Sequence, residues 1–132
     1  MNSTQHSRIC RIGLIVQALF YIAQGMNHFW HSGIEVRLMP DHYTHPYALV
    51  LISGVAEILG GVGLLIQRTR RMASGGLILL LLIYFDVHIF MVLHAERFAF
   101  IPLWALYLRV PFQFVFIAWA WVYTRGGKVD SA

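Results

Sequence analysis

The sequence predicts an all-α membrane protein: a bundle of four transmembrane helices, both termini cytoplasmic, with a short extracytoplasmic cap between the first and second helices. Three observations carry that expectation. Of 132 residues, 58% are hydrophobic and only 12% charged, whereas soluble domains carry about 25% charged residues. A water-soluble core of this length could not bury so many apolar side chains. The apolar residues also fall into four runs, each near the roughly 20 residues needed to cross the hydrocarbon of a bilayer.

The first run, 9–30, is interrupted by Gln17 and Gln24 and followed by HFWHSGIEV, with no small-residue cleavage site. It is therefore expected to stay as a span and not to be removed as a signal peptide. The connection 31–46 carries MPDHYTHP and is the expected cap. The second span, 47–66, ends in the basic turn QRTRR, and the third, 72–93, contains the unbroken apolar run GLILLLLIYF. Strands of a membrane barrel would alternate, and only helices satisfy their own backbone groups in lipid. The fourth span, 102–123, is rich in aromatic residues. Small residues (Gly54, Ala56, Gly60, Gly61 and Gly63, then Ala73, Ser74, Gly75 and Gly76) allow close helix approach, and ordinary packing accounts for them. No linker or repeat divides residues 1–132, which read as one domain.

Charge sets the expected orientation. Arg8, Arg11, Arg68, Arg70, Arg71, Arg125 and Lys128 flank one set of span ends, against only Arg37 and Arg97 at the other. The first set should face the cytoplasm. The net charge of +4 is explained by this topology signal and attraction to anionic lipid, so no nucleic-acid partner is implied.

Polar groups inside the spans are the candidates for function. Glu57, Asp86 and Arg109 would each cost roughly 2.5–3.5 kcal/mol at mid-bilayer, so they should face the bundle and find partners. At about 1.5 Å per residue, Asp86 and Arg109 both lie near 10 Å from the outer surface and are expected to pair, with Glu57 about 15 Å deep. Gln17, Gln24, His28 and His31 fall within a stripe of roughly 60° on the first helix. Asn27 flanks that stripe, and Gln113 lies one turn beyond Arg109. Asp86 and His88 differ by about 200° and cannot share a face, so His88 is expected to meet a neighbouring helix or a partner subunit. The expected site is thus a polar pocket of Gln24, His28, Glu57, Asp86, Arg109 and Gln113. Such a pocket would suit a quinone head group, whose oxygens need donors and whose ring suits Phe29, Trp30, Tyr84, Phe85 and Trp104. The competing explanation is that these groups merely glue the helices, at about 0.6 kcal/mol per hydrogen bond.

HFWH and HYTH place His28 with His31 and His42 with His45 at i, i+3, the spacing at which imidazoles on a helix can hold a metal or haem iron. Against this, His42 and His45 lie between Pro40 and Pro46, where a helix is not expected, and no HExxH or CxxCH motif is present. The GGVG run is no phosphate loop, because no strand precedes it. Nothing local makes Cys10 reactive.

GMNHF, RLMP, SGVAEILGGVGLLIQRTRRMA and PLWALYLRVPFQFVFIAWAWVYTR together resemble the DoxX family of small bacterial four-helix membrane proteins, over about residues 25–125. SGxxExxGGxGLL before a basic turn is the most specific element, and LRxPxQ the next. The resemblance implies a bacterial inner-membrane protein with the Glu57 helix at its centre. It matches the family pattern at His28, Glu57, Arg109 and Gln113. It also implies association with quinol oxidase or thiosulfate:quinone oxidoreductase systems, as described for some members. The sequence departs at Phe85–His88, where similar proteins show a Pro-Ala-Asn-like stretch, and in its extra His31, His42 and His45. The expected function is a membrane subunit of quinone-linked redox electron transfer that binds a quinone or similar lipophilic ligand and works with partner subunits. The alternative is a non-catalytic structural subunit of a larger membrane complex.

Overall fold

Among the described residues, 2–125 of this computed structural model, every regular element is helical and there is no strand. α1 (Ser3–Trp30) is followed by the short α2 (Ser32–Leu38), then α3 (Pro46–Leu65), α4 (Arg70–Leu93) and α5 (Leu103–Thr124), with one 3-10 turn at Ala95–Phe98. All but α2 are long and apolar enough to cross a membrane. Lys128, counted above with the basic residues, lies outside the described residues.

Local chemistry explains the boundaries. α1 starts well ahead of its apolar run because Asn2 and Gln5 form a capping box: Asn2 Oδ1 accepts from the Gln5 amide at 2.8 Å, and Gln5 Oε1 accepts from the Asn2 amide at 3.2 Å. Pro46 opens α3 at its first turn, where a missing N–H costs nothing. The α3–α4 turn is tied by Thr69 Oγ1, which donates to the Gly63 carbonyl at 2.9 Å, and by Arg70 Nε, which donates to the Leu64 carbonyl at 2.8 Å. Both carbonyls belong to the last turn of α3, which has no helical donors left.

The long helices run antiparallel in sequence order. Arg71 donates to the Arg125 carbonyl and the Tyr123 hydroxyl to the Cys10 carbonyl, so the start of α1, the α3–α4 turn and the end of α5 share one end of the bundle. We call this the arginine end. α2, the 39–45 loop and the 3-10 turn make the opposite, cap end. α1 packs on α3, α3 on α4 and α4 on α5, whereas the backbones of α1 and α5 hardly meet.

The closest contact joins α1 to α3. A Cβ on Gly25 would lie 2.5 Å from the Gly54 carbonyl oxygen, and one on Gly61 would lie 2.7 Å from that of Ala18. Only glycine permits this, and in lipid such packing replaces the missing hydrophobic drive. Gly75 and Gly76, by contrast, meet open space.

The two halves of the bundle are filled differently. Toward the arginine end, Leu14, Ala18, Leu64, Leu77 and Tyr123 form a continuous core. At the cap end, Leu38 of α2 is held in a cluster with Met91, Phe98 and Leu106. Between core and cap lies a cavity.

Candidate functional site

The cavity has a volume of about 450 Å³, within the range of small-molecule sites. Each long helix contributes to it: Gln24 and His28 from α1, Ser53 and Glu57 from α3, Tyr84 and His88 from α4, Arg109 and Gln113 from α5. Glu35, Leu38 and Met39 close it at the cap end.

Its centre is a buried pair. His28 Nε2 lies 3.1 Å from Glu57 Oε2, with the side chains 8% and 2% exposed. The other ring nitrogen, Nδ1, lies 3.1 Å from both the Val50 carbonyl oxygen and Ser53 Oγ. A carbonyl can only accept, so Nδ1 carries the proton. Two bare lone pairs at 3.1 Å would repel, so a second proton lies between Nε2 and Oε2. Either a carboxylic acid faces a neutral imidazole or a carboxylate faces an imidazolium. The approach is too oblique for a good hydrogen bond, and Oε2 has no well-aligned donor.

Three more buried polar atoms around the cavity make no well-aligned hydrogen bond among the described residues, although polar side chains lie near: the Tyr21 hydroxyl by Gln17, the Tyr84 hydroxyl by Ser53 and Glu57, and Nδ1 of His88, a residue beside Gln113. Native proteins leave few such groups, because each costs its full desolvation. Four of them border one space. Arg109 adds a cation that, among the described residues, donates to the Met91 sulfur at 3.6 Å, a weak acceptor, and has no carboxylate in ion-pair reach. Gln113 is anchored, donating from Nε2 to the Leu81 carbonyl at 2.7 Å.

Of the residues expected at the site, Gln24, His28, Glu57, Arg109 and Gln113 line the cavity and Asp86 does not. The expected Asp86–Arg109 pair does not form. Asp86 points outward and accepts from the Tyr43 hydroxyl at 2.7 Å, with His42 Nε2 also at 2.7 Å. The cause is the angular separation of Asp86 and His88: only one can face the cavity, and it is His88. The loop between Pro40 and Pro46 folds back along α4 to meet the other. Gln17 is buried beneath the cavity and does not line it. Of the aromatics expected around a ligand ring, Tyr84 lines the cavity. Phe29, Trp30 and Trp104 are exposed on the outer surface, and Phe85 packs on Phe114 with centroids 4.9 Å apart. The cavity's rings are instead Phe20, Tyr21, Tyr84, Phe112 and Phe116.

Sequence reasoning missed Tyr21 and Ser53, although the signal was there. Tyr21 continues the Gln17–Gln24–His28 stripe at helical spacing, and Ser53 precedes Glu57 by one turn.

The histidine pairs are dispersed. His28 is in the cavity, His31 contacts Asn27 Oδ1 at 2.6 Å, His42 meets Asp86, and His45 precedes α3. Among the described residues no three His, Cys, Asp or Glu side chains gather as metal ligands would.

On the cap surface Arg97 grips Asp41 through two nitrogens at 2.6 and 3.0 Å, which holds the Asp41 carboxyl below the usual carboxylate range and raises Arg97. The Asp86 carboxylate that accepts from Tyr43 raises the Tyr43 phenol. Together these contacts tie the 39–45 loop to α4 and the turn beyond it.

Fold and cavity define a class: helical proteins of membrane-crossing dimensions with a polar chamber in one half of the bundle. A family model described as "Domain of unknown function (DUF8561)" matches residues 17–124, and the chain belongs to that family. No curated protein and no solved structure matches it.

Proposed function

We propose that the protein is a DoxX-like, multi-pass subunit of the bacterial inner membrane, with the arginine end in the cytoplasm. In this reading it serves quinone-linked redox electron transfer by binding a quinone head group, or a similar lipophilic ligand, in the cavity. The orientation rests on the positive-inside rule applied to the arginine-end residues. The observation that carries the binding reading is the set of buried polar atoms that border one cavity without a well-aligned hydrogen bond: Glu57 Oε2, the two tyrosine hydroxyls and His88 Nδ1. A helix-gluing role would leave these groups in well-aligned hydrogen bonds with one another.

The groups suit a ring with two opposed oxygens. Arg109 offers N–H donors to one carbonyl, while Tyr84 and the proton shared by His28 and Glu57 serve the other. The chain supplies binding, orientation and a proton at Glu57. Electron transfer belongs to the quinone and to a partner subunit.

The test is purification in lipid nanodiscs, solvent extraction and chromatography of the bound lipophiles. A quinone recovered near stoichiometry from the native protein, and at least tenfold less from Glu57→Gln and Arg109→Gln proteins with unchanged thermal unfolding, is the expected result. Equal recovery from all three, or none from the native protein, would overturn the reading.

A further inference from the structure

The cavity has a polar floor and an aromatic wall, and the wall is also part of the protein's outer surface. Phe20 on α1 and Phe112 on α5 both line the cavity, yet are 40% and 53% exposed on the flank that faces acyl chains. Phe116 lines it too and stacks on Phe20, with centroids 5.2 Å apart and planes 15° from parallel.

Several other approaches are closed by something firmer than a ring contact. The α1–α3 boundary is sealed by backbone contact at Gly25 and Gly54. Gln113 is hydrogen-bonded to the α4 backbone across the α4–α5 boundary. Toward the arginine end lies the continuous core, and at the cap end Leu38 is buried among Met91, Phe98 and Leu106. Along α1 and α5 the backbones hardly meet, and at cavity depth the seam is closed by Phe20 on Phe116. A ring contact is the softest kind of seal, because side-chain rotamer changes are far faster than helix movement.

We infer that the ligand is a tailed amphiphile that enters sideways from the bilayer: its head lies among His28, Glu57, Tyr84 and Arg109, and its apolar tail leaves between α1 and α5 past Phe20, Phe112 and Phe116. The inference rests on the binding function proposed above and adds the tail and the route. Phe20 and Phe116 thereby become specificity residues, reading the tail while the polar groups read the head.

The experiment uses the full chain in phosphatidylcholine nanodiscs and two probes, a dimethoxy-benzoquinone with and without a decyl chain, each compared at equal mole fraction in the bilayer. Quenching of tryptophan fluorescence reads binding. A second decyl probe with a diazirine at the chain end maps the tail by photolabelling and peptide mass spectrometry. The tailed probe should bind at least tenfold more tightly, with its label on α1 and α5 around Phe20, Phe112 and Phe116. Equal binding of both probes, or label on α2 or the 39–45 loop, would overturn lateral entry while leaving the head-group site standing. Failure of both probes to bind would instead remove the binding function itself, and this inference with it.

Discussion

Two histidine–carboxylate pairs occupy the cap half of this protein, and the shorter one does less. His42 and Asp86 approach to 2.7 Å but are 57% and 47% exposed, while His28 and Glu57 stand 3.1 Å apart and nearly sealed. An exposed pair exchanges one set of water contacts for another and contributes about 0–1 kcal/mol. A buried pair has lost its water, so each partner depends on the other, and removing one leaves an uncompensated polar group. Burial, more than distance, therefore decides which pair matters. The buried one also borders the cavity.

The largest expected effect comes from breaking the buried pair. His28→Ala should cost about 3–5 kcal/mol of stability, read from unfolding in mixed micelles, because Glu57 is left without its partner. Replacing both residues, His28→Leu with Glu57→Leu, should recover most of that loss while abolishing ligand binding. A double variant as unstable as the single one would mean that the pair itself, and not the orphaned carboxyl, holds α1 to α3. Asp86→Asn should cost less than about 1 kcal/mol and leave ligand binding unchanged, a result that separates the two pairs if measured on the same preparations.

The smallest effect concerns acid and the Asp41–Arg97 contact. Asp41 is lowered in the folded protein, so its contribution is fully present above the carboxyl's ordinary value of 3.8 and disappears as pH falls through the lowered one. Amide hydrogen exchange in the 39–45 loop should be flat from pH 7 to about pH 4, after correction for intrinsic rates, and accelerate below. Acceleration beginning near pH 6 would assign the loop's attachment to a histidine contact instead.

The four spans were legible because apolar length is a one-dimensional property. The early start of α1, at Ser3 and not at residue 9, was missed, because the Asn2-x-x-Gln5 box lies outside the apolar run that draws attention first. The convergence of His28, Glu57, Arg109 and Gln113 follows from the cost of polar groups in lipid, which drives each inward. Asp86 obeyed the same rule by another means, taking donors from a loop whose path depends on tertiary contacts that no spacing reveals. The angular argument separated Asp86 from His88 correctly but could not say which faced inward. The aromatic wall was misplaced for a related reason: rings suit a cavity and acyl chains equally, so composition does not sort them.

The glycine contact between α1 and α3 bears on how the chain is made. These two helices precede α4 and α5 in the chain, so their backbones can dock at Gly25 and Gly54 as one hairpin before α4 exists. His28 then meets Glu57 early, so neither has to wait in acyl chains for the rest of the polypeptide. The second hairpin, α4 with α5, can then pack against a finished partner, and the chamber is the space between the two halves.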